Sequence, residues 1–325
     1  MIKLNTNYLG LSLKNPVIVS SSGLTNSVEK IVKLEEAGAG AVVLKSLFEE
    51  QIKYEAGGMI DNSDYPEAQD YIMHYVKDNS VVEYLKLIEQ AKKAVNIPVI
   101  ASINCITAAE WVSFSKDIEQ AGADALELNV FFVPVDDNKS SEKYEALYYV
   151  LLEKVKAITK LPVSVKIGTN FTNPVNLIKN IYFRGAKGVV LFNRFYSPDI
   201  DIDNFMFTSS EVFSAPGDIR QSLRWVGIVS DLVEKIDIAA STGIYDGKAV
   251  VKQLLAGATA VQVCSALYKN GINVLTSMLE FLEEWMKKNS FESIDDFRGK
   301  MSYKNIANPA IYERSQFMKY FSNFQ

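Results

Sequence analysis

Small residues follow two neighbouring apolar runs in the last third of the chain. Ser241-Thr242-Gly243 comes after the run Asp237–Ala240, and Cys264-Ser265 comes after the run Ala260–Val263. A helical pattern begins after each of these two segments. The unpaired backbone N–H groups and the positive dipole ends of both helices would therefore point towards a common position. That arrangement predicts a phosphate site, with a plain strand–helix–strand unit as the alternative. The four expected contacts are Thr242, Gly243, Cys264 and Ser265.

Two lysines also stand at the ends of apolar runs. Lys45 ends the run Ala41–Lys45, and Lys166 ends the run Pro162–Lys166. Burying an ammonium group is costly unless it faces an anion or a polar ligand, so both lysines favour a ligand site over structural salt bridges. A lysine amine could also form a Schiff base, which would make the protein an aldolase or isomerase. That alternative needs a carboxylate for acid–base work, and Glu127 is the nearest candidate.

Eight short apolar runs, each followed by a helical stretch, must position these residues. Near-continuous apolar strands that alternate with helices indicate a parallel sheet covered by helices. Eight such units predict a closed (β/α)8 TIM barrel rather than an open doubly wound sheet. The predicted strands are Val17–Ser20, Ala41–Lys45, Pro98–Ser102, Ala125–Asn129, Pro162–Lys166, Gly188–Phe192, Asp237–Ala240 and Ala260–Val263.

A repeated turn of small residues joins four of the predicted helices to the next strand. The glycine after each helix suits a left-handed backbone, and the strand begins directly after it. We expect these turns on the bottom face of the barrel, where residues serve stability. The four segments are 37–45, 121–129, 184–193 and 256–265.

Two predicted loops on the opposite, top face are long enough to be lids. Phe48–Ser80 separates the second strand from its helix and carries the only histidine, His74. Arg194–Ser222 follows the sixth strand and carries several aspartates. Because this loop lacks the Gly and closing Glu of a calcium loop, we expect a solvated turn and no metal site. The aspartates are Asp199, Asp201 and Asp203.

Length and composition predict one domain spanning residues 1–325, with the barrel over about 4–299 and a C-terminal tail over 300–325. The chain of 325 residues is 48% hydrophobic, and its net charge of −5 offers no basic surface for nucleic acid. Cys105 and Cys264 form neither a disulfide framework nor a zinc motif. We see no signal peptide and no apolar run of roughly 18–20 residues, so we expect a cytoplasmic protein without a membrane partner. Phe291–Gln325 is expected to wrap the barrel or a second subunit, and a homodimer is possible.

Seven segments share their order and spacing with one known family. They are NPVIVSSSG (15–23), VVLKS (42–46), ALELN (125–129), LPVSVKI (161–167), VLFN (190–193), STGIYDG (241–247) and LLAGATAVQVCSAL (254–267). By these segments the chain resembles the dihydroorotate dehydrogenase family, whose members are FMN-containing (β/α)8 barrels. The phosphate loops of that family usually contain Gly-Gly-Ile and Gly-Thr, where this chain has Thr242-Gly243-Ile244 and Cys264-Ser265. The lack of a hydrophobic N-terminal extension resembles the cytosolic class 1 enzymes.

The resemblance implies a role for most of the strand ends. The charge of Lys166 would stabilise anionic reduced flavin, and Lys45 would contact flavin and substrate together. The expected FMN contacts are Ser21, Ser22, Gly23, Lys45, Ser46, Asn129, Lys166, Thr242, Gly243, Cys264 and Ser265. The expected substrate contacts are Lys45, Asn104, Asn129 and Asn193, of which Lys45 and Asn129 are the expected catalytic residues.

The chain departs from the family where a base should remove a proton from dihydroorotate. Family members carry Asn-x-Ser-Cys-Pro-Asn or Asn-x-Ser-Ser-Pro-Asn after the fourth strand, whereas residues 129–134 here read NVFFVP. Phe132 stands at the position of the base and cannot accept a proton, so the base is unknown. The chain thus resembles a diverged branch that oxidises dihydroorotate or a related small molecule. A flavoprotein reductase with a flatter or more apolar substrate, and the non-flavin aldolase or isomerase, are the alternatives.

Overall fold

Eight parallel strands form a closed barrel in the computed structural model, which describes residues 2–48, 69–104, 111–195, 197–209 and 211–314. Each strand pairs with the next one along the chain, and the eighth pairs with the first. The (β/α)8 prediction is therefore confirmed, with every predicted strand found to within two residues. The strands are β1 (Val17–Val19), β2 (Ala41–Val43), β3 (Val99–Asn104), β4 (Ala125–Asn129), β5 (Val163–Ile167), β6 (Gly188–Leu191), β7 (Asp237–Ser241) and β8 (Ala260–Val263).

Helices lie between the strands and cover the outside of the barrel, and local signals fix several of their ends. The Asn173 side chain accepts a hydrogen bond at the start of the fifth helix, where Pro174 supplies the fixed φ that a first turn favours. Asp246 caps the seventh helix in the same way. The helices are α1 (Val28–Glu36), α2 (Gln69–Ala94), α3 (Trp111–Gln120), α4 (Ser141–Ile158), α5 (Pro174–Phe183), α6 (Ile219–Leu232), α7 (Gly247–Ala256), α8 (Ser265–Asn270), α9 (Val274–Lys288) and α10 (Ala310–Glu313). Within the described ranges, none of them combines the length and apolar character that crossing a membrane needs.

The four small-residue turns on the bottom face have the predicted left-handed backbone. The space around Gly257 shows why a side chain is excluded there, since an added Cβ would lie 2.5 Å from Ser230 Oγ. The prediction from the repeat is thus confirmed at all four turns. The φ angles are +108° at Gly38, +92° at Gly122, +97° at Gly185 and +113° at Gly257.

The two long top-face loops differ from their predicted extents. Helix α2 begins at Gln69, so residues 69–80 are helical rather than part of a loop, and His74 belongs to that helix. The rest of that predicted loop, beyond Phe48, lies outside the described residues. After β6, residues 192–218 include a hairpin of Pro198–Asp201 with Met206–Ser209, and α6 begins at Ile219 rather than after position 222.

The aspartates of this hairpin make a turn. Asp201 Oδ1 accepts hydrogen bonds from the N–H groups of Asp203 and Asn204, which helps to hold the pKa of the Asp201 carboxyl below its usual value. Hydrogen bonding by the Asn204 side chain is the largest cause of that lowered pKa. Among the described residues, no group of three His, Cys, Asp or Glu side chains could hold a metal ion.

A hairpin that the sequence patterns did not predict closes the bottom of the barrel. Its strands are Thr6–Tyr8 and Leu11–Leu13, and the side chains of Tyr8, Leu9 and Leu13 are buried among the inward-facing residues of the barrel strands. Leu9 also explains the glycine that begins β6, because a Cβ on Gly188 would lie 2.6 Å from Leu9 Cδ2. The lower half of the barrel is therefore filled by apolar side chains from the strands and from the hairpin together.

The segment after α9 lies along α6 and α7. Its backbone N–H groups at Met301 and Tyr303 donate to the carbonyl oxygens of Leu255 and Gly227. Phe291 and Phe297 pack against Trp285 of α9 in an aromatic cluster of tilted and edge-to-face rings. This described part of the predicted tail thus packs on the barrel, while residues 315–325 lie outside the described residues.

Removing the Tyr8 ring should destabilise the barrel strongly. Tyr8 is fully buried, and truncating a buried aromatic residue to alanine costs about 3–5 kcal/mol through lost burial and the cavity left behind. We expect Tyr8→Ala to lower the free energy of unfolding by that amount in a urea titration. Asn7→Ala, at an exposed position of the same hairpin, is the control and should change it by less than about 0.5 kcal/mol. Equal effects of the two variants would contradict the assigned role of the hairpin.

Candidate active site

A cavity of 440 Å³ opens at the carboxyl ends of the barrel strands. Parallel strands of a barrel end on one face, so the loops after them converge there, and this volume is typical of small-molecule sites. Six of the residues predicted to contact FMN line the cavity, as does the predicted substrate contact Asn193. The six are Ser21, Lys166, Thr242, Gly243, Cys264 and Ser265.

The loop after β7 brings its backbone unusually close to α6. Thr242 and Gly243 have left-handed φ angles of +75° and +78°. A Cβ on Gly243 would lie 2.2 Å from the backbone nitrogen of Ile219, so no side chain fits there. The Thr242 hydroxyl donates to the carbonyl oxygen of Phe192 at 3.2 Å, which holds the loop against the end of β6. Only glycine therefore fits at position 243 of this turn.

Ser214, in the loop after β6, ties the two predicted phosphate loops together. Its backbone N–H donates to Ser265 Oγ at 3.0 Å, and its hydroxyl accepts from the N–H of Gly243 at 3.4 Å. The hydroxyl of Tyr245 donates to the Ser214 carbonyl oxygen. Sequence reasoning missed Ser214, because no local pattern shows that a loop residue will reach two strand ends that follow it in the chain.

The loop after β8, the second predicted phosphate loop, contains the neutral thiol of Cys264. Cys264 occupies the position before the first residue of α8 and lies beside the Ser22 hydroxyl. Burial raises the pKa of the Cys264 thiol, although the hydrogen bond with Ser22 and the nearby Lys166 charge act in the other direction. The thiol therefore stays protonated and behaves as a small neutral residue, which does not repel an anion.

Lys166 lies at the centre of a buried polar network inside the barrel. Its side chain is nearly fully buried, and Nζ donates to Ser20 Oγ and to Gln262 Oε1, both at 3.1 Å. Glu127 Oε1 lies 3.7 Å from the same nitrogen, and Gln262 Nε2 donates to Glu127 Oε2 at 2.6 Å. The ammonium group thus has a fixed position below the cavity.

Glu127 therefore does not stand at the barrel mouth. Only 1% of its surface is exposed, and its carboxylate is the counter-ion of Lys166. The aldolase or isomerase alternative loses the acid–base group that it requires. Gln262 was missed by sequence reasoning, although strand alternation could have found it, because Val261 and Val263 face outward and the residue between them must face inward.

Lys45 stands where the pairing of β2 is interrupted. The chain leaves β2 after Val43 and pairs with β3 again at Leu47–Phe48. Tyr84 of α2 fills the gap in pairing on the β3 side, since its hydroxyl accepts from the N–H of Ser102 at 2.8 Å and donates to the Ser102 carbonyl oxygen at 3.1 Å. The interruption allows the half-buried Lys45 to leave the regular strand geometry at the top face.

The other expected FMN contacts lie beside the cavity rather than on its described lining. Ser46 Oγ is 3.0 Å from Ser21 Oγ and 2.7 Å from Ser102 Oγ, which forms a chain of three hydroxyl groups. Asn129 is bonded to Asn193, whose Nδ2 donates to Asn129 Oδ1 at 2.7 Å. The backbone around Gly23 approaches Tyr268, whose hydroxyl would lie 2.9 Å from an added Cβ. Asn104 ends β3, half-buried.

Phe132 is turned away from the cavity. Its ring packs against Tyr144 and Tyr148 of α4, with centroid distances of 5.3 and 5.5 Å, and it lines a separate space of only 40 Å³. Phe131 contacts Phe195 instead, at 4.4 Å between ring centroids. The Phe132 ring therefore fills the contact between the loop and α4 and does not line the main cavity. Cys105, which follows β3, lies outside the described residues.

Fold and site together define a (β/α)8 barrel with a cavity at the carboxyl ends of its strands. A model of the dihydroorotate dehydrogenase family matches residues 3–286, so the chain belongs to that family. The resemblance found in the sequence is confirmed.

Three relatives show how far the similarity extends, and each is named dihydroorotate dehydrogenase B (NAD(+)), catalytic subunit. The relative from Thermoplasma volcanium is 28% identical over 316 residues, which cover 92% of this chain and 98% of the relative. The one from Pyrococcus abyssi is 29% identical and covers 91% and 98%. The one from Methanocaldococcus jannaschii is 25% identical and covers 88% and 94%. The similarity therefore spans nearly the whole of both chains.

Replacing Gly243 should cost more than the strain of its φ angle alone. Gly122, in the left-handed turn after α3, has a φ of +92° and nothing within 4 Å of an added Cβ, so it is a matched control. We expect Gly122→Ala to lower the free energy of unfolding by about 1–2 kcal/mol, the cost of a left-handed conformation. Gly243→Ala should cost clearly more, because the methyl group meets the backbone of Ile219. Similar values in a urea titration would show that the loop relaxes freely.

Proposed function

We propose that this chain is an FMN-dependent oxidoreductase of the dihydroorotate dehydrogenase type, which oxidises dihydroorotate or a related small molecule. The observation that carries the proposal is the cavity at the barrel mouth, lined by Lys166 and by both predicted phosphate loops. Family membership over residues 3–286 supports the same reaction class.

The residues of the cavity suit FMN. The small residues of both loops leave room for a phosphate at the cavity wall, and the absence of a side chain at Gly243 lets the first loop pack against α6. Thr242, Gly243, Cys264 and Ser265 would hold the phosphate, while Ser21 and Lys166 would contact the ring. When bound, FMN supplies the hydride-accepting chemistry of the reaction.

The other residues of the site would bind and orient a small polar substrate. Asn129 and Asn193 face each other at the mouth, and their amides can exchange their mutual hydrogen bond for bonds to substrate amide and carboxylate groups. Lys45 would add a charge on the β2 side. The ammonium of Lys166 would favour negative charge at the nearby edge of the ring system.

The names of the relatives describe catalytic subunits, and we propose the same role for this chain. Its partner in that role is a small-molecule substrate. The cytoplasmic location, the homodimer and the single-domain extent over residues 1–325 stay predictions.

A reductase acting on a flatter, more apolar substrate is the second candidate. The pair formed by Phe131 and Phe195 supports it, because these rings meet above the end of β5, where a Cβ on Gly168 would lie 3.0 Å from the Phe195 ring. Phe195 also lines a neighbouring cavity of 420 Å³ together with Asn193 and Arg194. Aromatic surfaces of this kind favour stacking with planar ligands.

Purified protein should carry FMN, visible as flavin absorption in the blue. We expect Gly243→Ala to release it, because the methyl group displaces the loop that would hold the phosphate. Gly122→Ala, which also places alanine at a positive φ but on the bottom face of the barrel, should keep it. Absence of flavin from wild-type protein that also fails to bind added FMN would refute the proposed cofactor and favour a non-flavin barrel enzyme.

Dihydroorotate should reduce the bound flavin slowly or not at all. A placed general base contributes about 10²–10⁴-fold, or about 3–5.5 kcal/mol of barrier, and Phe132 can supply none of it. Anaerobic stopped-flow mixing with dihydroorotate measures the rate as flavin bleaching, and chemical reduction of the same sample controls for intact flavin. Reduction as fast as in an enzyme that has its base would show that another residue accepts the proton.

A further inference from the structure

Glu127 is a buried carboxylate that the proposed reaction does not use directly. It lies on β4, 1% exposed, below the cavity rather than in it. Its Oε2 accepts from Gln262, but its Oε1 has no hydrogen-bond partner among the described residues. Leaving one oxygen of a buried carboxylate without a hydrogen bond is costly, so the charge of Lys166 at 3.7 Å must compensate for it.

Gln262 keeps the two charges apart. Its Oε1 accepts from Lys166 Nζ and its Nε2 donates to Glu127 Oε2, so one amide fixes the positions of both ions. The resulting separation of 3.7 Å is longer than the roughly 2.7–2.9 Å of a direct charged hydrogen bond. Ser20 holds Nζ from the β1 side. The ammonium is therefore shared between its counter-ion and the cavity above it.

The aromatic group below the carboxylate is neutral. Tyr8 lies there, and burial raises the pKa of its phenol well above the usual value, with the charge of Glu127 adding to the rise. The phenol thus stays neutral. Within the described part of the chain, the ion pair of Glu127 is with Lys166 alone.

We propose that Glu127 is a positioning residue that sets how strongly the Lys166 charge acts on the flavin, with Gln262 as the bridge that fixes the distance between them. The inference rests on the proposed function, since it requires FMN in the cavity. A positive charge near the ring favours the anionic reduced form, and a neighbouring carboxylate offsets part of that effect. The pair therefore tunes the reduction potential of the flavin.

The first test is Glu127→Gln, which removes the charge and keeps the size of the side chain. The full charge of Lys166 would then act on the flavin. We expect the ratio of affinities for reduced and oxidised FMN to rise by on the order of tenfold, since loss of one charge from a buried site has effects of this size. For a two-electron couple this is an increase of about 30 mV in the midpoint potential, measured by spectroelectrochemistry.

Two further variants keep the test independent of the folding of Glu127→Gln. Gln262→Met removes the bridge, so Lys166 should move towards Glu127 and the potential should fall rather than rise. Ser164→Ala is the matched control, because Ser164 is a buried, uncharged neighbour that pairs with Glu127 in register, and it should leave the potential unchanged. A structural disturbance would not produce shifts of opposite sign in the first two variants.

A double-mutant cycle tests whether Glu127 acts through Lys166. Lys166→Met alone should lower the potential. In that background Glu127→Gln should change the affinity ratio by less than about twofold, because the effects of coupled residues do not add. Equal shifts in both backgrounds would mean that Glu127 acts on the flavin directly, which would overturn the inference. So would an unchanged potential in Glu127→Gln that still holds FMN, whereas absence of FMN from the wild type would refute the proposed function instead.

Discussion

Closure of the eight-stranded sheet is the constraint on which the rest of the structure depends. In a closed parallel barrel every second side chain points inward, so all strands must fill one shared interior. The lower half meets this demand with apolar residues and the N-terminal hairpin around Tyr8. The upper half meets it with Ser20, Glu127, Lys166 and Gln262, which bond one another. The change from apolar to polar filling separates the part that stabilises the fold from the part that carries the site.

Stability does not explain why polar side chains fill the upper half of the barrel. A buried ion pair seldom stabilises a protein more than well-packed apolar side chains of similar volume would. The neighbouring lower layer shows that apolar filling is available to this barrel, since Ile18, Ile100 and Val190 are completely or almost completely buried there. The presence of Lys166 and Glu127 instead fits the proposed function, in which the adjacent cavity requires a fixed positive charge.

The sequence allowed the barrel to be predicted because its signals are local. Short apolar strands recur eight times, and the glycines of the bottom turns mark where the helices end, as at Gly38 and Gly257. The hairpin around Tyr8 was missed because its three-residue strands carry too little periodicity to be recognised. The helical character of residues 69–80 was missed for a related reason, since no regular apolar stripe marks the first turns of α2. Ser214 could not be predicted because its contacts join loops that are distant in the chain.

The part of the site that is expected to bind FMN follows the family pattern more closely than the part that is expected to bind the substrate. The loop after β4 shows why this difference involves more than one residue. The Phe132 ring contacts Tyr144 and Tyr148, and the Tyr148 hydroxyl donates to the carbonyl oxygen of Val130 at 3.2 Å. Helix α4 thus holds both the backbone and the side chain of this loop. A cysteine at position 132 would leave a hole against the two tyrosines and would direct its thiol towards α4 rather than towards the cavity. The altered substrate half is therefore a property of the packing between loop and helix, and a new proton acceptor would have to come from another part of the barrel mouth.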